Sequence, residues 1–212
     1  MTEATAADYG WIRSASAPLP YAFDVGYSLT AVRGVPPEQL LAAARAEVRG
    51  SCRGGRELLE EHFEFLDEYG YDAEFSMVGV CTVPGEGGEW TLVLEFCGDL
   101  GTRAAFMTAA SAGTRAVSHY RNGGKPIDFF HWYENGELRT TFETPRFRDG
   151  STPDALNGPM SEVGLRLEGE DDPGVDRKAA VFALTERLTG VRLTEQLLAH
   201  AEYLVATVPE GR

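Results

Sequence analysis

The sequence predicts an α+β domain, with an antiparallel sheet of about five to six strands, helices packed on it and two helices at the C-terminus. Three observations predict this. Apolar and polar residues alternate with period two in an early segment and again through the middle of the chain. Two glycine-containing turns, Asn122-Gly123-Gly124 and Asn135-Gly136, join neighbouring strands as hairpins. Helical periodicity flanks the strands on both sides.

Residues 1–20 are polar and rich in Ala and Pro, and read as a flexible N-terminal segment. Tyr9, Trp11 and Ile12 can dock there as a short helical turn, which Pro18 and Pro20 stop. Phe23, Val25, Tyr27 and Leu29 alternate with small or polar residues and predict a strand over 23–32. Pro36-Pro37-Glu38 opens a helix, with proline in its first turn and an acid near its positive end. The segment 50–55 reads as a loop. Residues 57–69 predict an amphipathic helix, with Leu58, Leu59, Phe63 and Leu66 inward and most glutamates outward.

Strands over 75–83 and 90–97 flank a glycine-rich turn, and a helix follows over 100–110. Strands over 114–120 and 127–134 form the next hairpin. Asn135-Gly136 satisfies the two positive φ angles of a type I′ turn and pairs 127–134 with 137–143. Residues 144–160 and 168–174 read as loops. A helix over 175–189 ends at Gly190, and a last helix, capped by Thr194, carries Leu197, Leu198, Ala201, Leu204 and Val205. No repeat or linker divides the chain, so 1–212 is expected to be a single domain.

Acidic residues outnumber basic ones 33 to 19 among 212, a formal net charge of -14. That surface repels phosphate backbones. The densest basic stretch, Arg45, Arg49, Arg53 and Arg56, is interrupted by Glu47 and Glu57, so nucleic acid is not the expected partner. No apolar run approaches the ~20 residues that span a bilayer. An odd number of cysteines (Cys52, Cys81 and Cys97) without a secretory leader predicts a reducing, cytoplasmic setting. Cys81 and Cys97 read as buried in strands. Cys52 reads as an exposed thiol, near arginines able to lower its pKa.

Nucleotide loops, the serine elbow and the zinc-helix motif are missing from the sequence. The histidines, His62, His119, His131 and His200, show no close metal-ligand spacing. If Tyr120 pairs with Ile127, His119 lies opposite Asp128, and His131 faces the other way. No catalytic set, metal site or cofactor is expected.

The Asn135-Gly136 turn fixes a register in which Phe129, His131, Tyr133, Leu138, Thr140 and Phe142 share one face. That face reads as the core face. Phe130 and Trp132 then stand on a more polar face near Arg139, a combination used at interaction hot spots. Equally, a helix can cover them.

The stretches Trp90-Thr91-Leu92-Val93-Leu94-Glu95, Ser111-Ala112-Gly113-Thr114-Arg115-Ala116-Val117-Ser118, Glu134-Asn135-Gly136 and Ala183-Leu184-Thr185-Glu186-Arg187-Leu188-Thr189-Gly190 carry a resemblance. They are similar to an uncharacterised actinobacterial family, domain-of-unknown-function family 6461, and the similarity weakens across 45–73, where it implies an insertion. The resemblance carries no activity and no catalytic residues.

The expectation is a non-catalytic binding protein. It recognises a protein partner through its acidic surface and through Phe130, Trp132 and Arg139. The alternative is a small-molecule-binding protein or enzyme with a pocket between sheet and helices, where Arg115, His119 and His131 are the polar groups to examine.

Overall fold

The computed structural model of the protein describes residues 3–13, 18–70, 74–125, 127–169 and 174–210. Among them nine strands form one sheet: β1 (Gly26–Arg33), β2 (Glu47–Arg53), β3 (Phe75–Gly85), β4 (Gly88–Phe96), β5 (Arg115–Asn122), β6 (Ile127–Glu134), β7 (Glu137–Phe142), β8 (Arg148–Asp149) and β9 (Glu202–Pro209). Their order is β2-β9-β3-β4-β1-β5-β6-β7-β8, and every neighbouring pair is antiparallel.

The fold class is as expected, but the sheet has three more strands. The six foreseen strands are β1 and β3 to β7. Strand β2 overlaps the segment expected to be a loop, because Gly50, Ser51 and the arginines Arg49 and Arg53 mimic loop composition. Strand β8 has two residues and too little pattern to detect. Strand β9 was read as the end of the last helix. It lies between β2 and β3 and is buried on both faces over most of its length, so it shows no alternation. The chain therefore ends in a strand and not in two helices.

The helices are α1 (Pro18–Val25), α2 (Pro37–Ala43), α3 (Gly55–Tyr69), α4 (Ala104–Ala110), α5 (Asn157–Glu162), α6 (Arg177–Thr189) and α7 (Glu195–His200), with 3-10 turns at Ala6–Arg13 and Leu100–Thr102. Helix α6 starts at an Asp176 cap and ends at Gly190 with φ 68°. The Thr194 hydroxyl accepts from the Leu197 N–H at 3.0 Å and starts α7. The N-terminal segment is docked: Tyr9 and Ile12 are buried, and the Tyr9 hydroxyl donates to Glu186 of α6 at 2.9 Å.

The two faces of the sheet are covered unequally. Leu29, Leu92, Leu94, Phe130 and Tyr203 join Leu58 of α3 and Phe182 of α6 in one large core. On the opposite face, Leu40 and Leu41 of α2 and Phe106 and Met107 of α4 cover Val32, Val78, Val80 and Val93. Gly79 of β3 makes room for α3, since a Cβ there would lie 2.4 Å from Leu58 Cδ2.

Two registers differ from expectation. Asn122, not Tyr120, pairs with Ile127, so His119 lies opposite Phe130 and not Asp128. The shift is by two residues, which leaves His119 and His131 on opposite faces. In the next hairpin Asn135 (φ 54°) and Gly136 (φ 80°) form the expected turn. Tyr133 pairs with Leu138, but Trp132 pairs with Thr140, leaving Arg139 as a bulge. Beyond the bulge, Thr140 and Phe142 move to the side of Phe130 and Trp132. That side, and not the Phe129 side, belongs to the larger core.

Candidate functional site

Phe130 is buried, at 1% exposure, and stacks on Phe142 with ring centroids 4.9 Å apart. It is therefore not a surface residue. Trp132 is half-buried at the end of the same face, where α6 stops and the β7 bulge begins. The Arg115 and Arg139 guanidinium carbons lie 5.8 and 5.9 Å from its ring centroid. The structure thus brings together Arg115, Trp132 and Arg139, residues that the sequence assigned to two different candidate sites.

Each arginine is held by its neighbours. Arg115 Nη2 donates to Glu134 Oε1 at 3.1 Å, and Nη1 donates to the Leu188 carbonyl at 3.2 Å. That carbonyl belongs to the last turn of α6, where a cation meets the negative end of the helix dipole. Arg139 Nη1 donates to Glu137 Oε2 at 3.0 Å. About a third of each arginine side chain stays exposed. The Trp132 Nε1 and Arg139 Nε groups are buried and have no hydrogen-bond partner. An unmet buried donor costs about 1–3 kcal/mol, so such groups call for an explanation.

Beside this cluster opens a polar cleft of about 510 Å³, lined by Arg33, Gln39, Thr114, Arg115, Glu134 and Asn135 among others. Its walls are fixed by hydrogen bonds. The Thr114 hydroxyl donates to the Arg33 carbonyl at 2.8 Å, and the Asn135 N–H donates to the Thr114 carbonyl at 2.8 Å. Planar guanidiniums stacked on an indole present donors suited to carboxylate and carbonyl acceptors.

His119 and His131 do not share a site. His119 lies beneath α6, its Nδ1 2.9 Å from the Tyr27 hydroxyl and its ring edge-on to Phe182. Burial lowers its pKa to about 3, so the ring is neutral. The space beside this pair measures about 20 Å³, enough for one water and not for an organic ligand. His131, on the opposite face, has Nδ1 2.9 Å from the Thr141 hydroxyl and stacks on Phe129. Burial lowers its pKa to about 4.

The cysteines exchange their expected roles. Cys52 is buried in β2, and burial, with Glu57 and Glu61 nearby, pushes its thiol up to about 11. Its arginine neighbours therefore do not activate it. Cys81 is buried as expected, and Cys97 is exposed just beyond β4. Among the described residues no group of three or more His, Cys, Asp or Glu side chains is placed to hold a metal ion. No helix there is long and apolar enough to cross a membrane.

The sequence reading passed over Glu95. It is buried in β4, accepts from the Leu100 N–H at 2.8 Å and from the Ser76 hydroxyl at 3.2 Å, and burial raises its pKa to about 7. A glutamate in the unbroken apolar run Leu92-Val93-Leu94-Glu95-Phe96 was the available signal.

A family model matches residues 2–212. The chain belongs to that family, a family of unknown function (DUF6461). No curated protein and no solved structure matches it. Membership covers the whole fold, including β2 and α3, and supplies no activity.

Proposed function

We propose that this member of the family is a non-catalytic binding protein that docks a protein partner at the Arg115–Trp132–Arg139 end of its sheet. The observation that carries the reading is the stack itself: one half-buried indole held between two partly exposed guanidiniums. Trp and Arg dominate interface hot spots because they combine a large rigid plane with directed donors. A β-bulge re-aims Arg139 onto the indole, and bulges recur where a strand presents a side chain for a task. The adjoining cleft gives a partner a concave surface with the Arg115–Glu134 pair on its wall. The reading with a pocket between sheet and helices loses ground at His119, where the space has room for only a single water.

Affinity capture with the tagged protein, followed by titration of the captured partner, tests this. Trp132→Ala is a poor probe, because the ring packs against the core. Arg139→Ala and Trp132→Phe remove the donors and keep the packing. Together they are expected to weaken binding at least about tenfold, the scale of one hot-spot residue, with the melting temperature nearly unchanged. Undiminished binding by the double variant would remove this surface from consideration.

A further inference from the structure

Helix α3 places a polar ring inward and an apolar ring outward on the same turn. His62 is 4% exposed, and its Nδ1 has no partner. The adjacent Phe63 is 48% exposed. Burying His62 lowers its pKa to about 4, so the ring is neutral at neutral pH and its unpartnered Nδ1 is what burial costs. Folding alone favours the reverse arrangement, with the phenylalanine inside. Phe63 was expected in the inner stripe, but the helix seats Leu58, Leu59, His62 and Phe65 there instead.

Phe63 stands on the rim of an apolar groove of about 150 Å³ between α1 and α3. Leu59, Leu66 and Phe96 line it with His62, and Val25, 44% exposed, stands on the opposite rim from α1. Phe63 and Val25 are two of the four large hydrophobic side chains strongly exposed among the described residues.

Carboxylates flank this groove on the solvent side of α3. Glu60 and Asp67, three and four residues from Phe63, adjoin it on the helix surface. Glu57, Glu61, Glu64 and Glu68 lie round the helix from the groove, where Glu61, Glu64 and Glu68 line a cleft with Arg49 and Glu57 lines another with Arg53; all six acids of α3 are exposed. Among the described residues only Glu60 of the six is ion-paired, with Arg56 at 3.1 Å. An apolar groove with Glu60 and the unpaired Asp67 beside it, on a helix of net negative charge, complements a ligand of one chemistry: a large apolar side chain flanked by lysine or arginine.

We infer that the α1–α3 groove is a docking site for an apolar side chain carried on a basic protein segment. The site is distinct from the arginine–tryptophan stack. Gly26, at one end of β1, lines the groove, and Arg33, at the other end, lines the polar cleft. They are the two ends of an eight-residue strand, roughly 23 Å apart. The two surfaces stand or fall separately.

The experiment uses the full-length protein and a fluorescein-labelled amphipathic helical peptide of leucine and lysine, with its leucine/glutamate twin as control. Fluorescence anisotropy is expected to show saturable binding of the Leu/Lys peptide alone, weakened by salt. Phe63→Ser is expected to weaken it at least tenfold, and Glu60→Lys with Asp67→Lys severalfold. Glu202→Lys, an exposed acid outside the groove lining, leaves it unchanged. Phe63 is exposed, so Phe63→Ser retains the fold, which circular dichroism checks. Absent binding of the Leu/Lys peptide, equal binding of both peptides, or full binding by Phe63→Ser overturns the assignment. Sedimentation identifies the competing occupant: a dimer that Phe63→Ser dissociates would make the groove a contact between two copies of this chain, and the basic segment would be abandoned.

Discussion

The two faces of the sheet solve the problem of burial differently. Beneath α6 the layer is thick and aromatic. Phe182 is fully buried, with its ring centroid 5.6 Å from those of Tyr9 and Phe23, 5.8 Å from Tyr27 and 4.6 Å from His119. Beneath the 3-10 turn Leu100–Thr102 the opposite face carries a buried polar strip of Glu95, Ser28, Thr30 and Ser118. There the Gly101 N–H donates to the Ser28 hydroxyl at 3.2 Å, and Thr30 donates to Ser118 at 3.1 Å. The turn approaches so closely that a Cβ on Gly101 would lie 2.1 Å from Ser118 Oγ. One face gains stability from apolar area. The other spends part of its area on directed bonds that fix where a short connection sits.

The sharpest way to break this comparison is Phe182→Ala. Removing a fully buried ring with four aromatic neighbours is expected to cost about 3–5 kcal/mol, read as a lower urea midpoint. A loss below about 1 kcal/mol would mean that α6 is not the principal source of stability.

The titratable groups divide in the same way, with opposite signs. His119, on the α6 face, has a folded pKa of about 3 against an ordinary 6.5. Its contribution to stability is complete above pH 6.5 and lost as pH falls towards 3. Glu95, on the polar face, has a folded pKa of about 7 against 4.5. Its contribution is complete below pH 4.5 and lost as pH rises through 7. Ser76, Asp99 and Arg103 also act on Glu95, but desolvation is the largest cause. Glu95→Gln keeps an acceptor for the Leu100 N–H and removes the buried charge. It is expected to raise stability at pH 8 by on the order of 1–3 kcal/mol and to change it little at pH 4.5. Melting curves at the two pH values check this, and equal shifts at both would show that Glu95 does not titrate in this window.

How much of this was legible in the sequence depended on whether a signal was local. Asn135-Gly136 and Thr194 carry their conformations in their own side chains, and both are where they were read. Helix α6 ends at Gly190 for the same reason. Strand β9 was misread because burial on both faces erases alternation, and Leu197, Leu198, Ala201, Leu204 and Val205 also fit a helical stripe. The bulge at Arg139 has no local signature, yet it moves Phe142 onto the Phe130 side and sets Arg139 over Trp132. Arg115, Trp132 and Arg139 were each visible as candidates. Their convergence was not, because it depends on strand register and on the Leu188 carbonyl, 73 residues further along the chain. Phe63 and His62 exchanged places because residues adjacent on a helix differ by only 100°, and packing against α1 and β4 decides which one enters.

The smallest effect tests whether the polar strip stabilises the fold or is merely satisfied by it. Thr30→Val preserves shape and deletes the hydroxyl that donates to Ser118. Ser118 keeps its own hydroxyl hydrogen but loses a donor in a fully buried position. Where only one partner of a buried hydrogen bond is removed, the loss is about 1–3 kcal/mol, and the low end is expected here because Ser118 loses a single neutral donor, below the loss expected for Phe182→Ala. Hydrogen exchange at Gly101 separates the two roles. If the strip positions the 3-10 turn, the Gly101 amide exchanges faster in Thr30→Val, because Ser28 accepts that amide beside the missing hydroxyl. If global stability falls while Gly101 protection follows only the global change, the strip contributes to stability alone, and the division of labour between the two faces fails at this point.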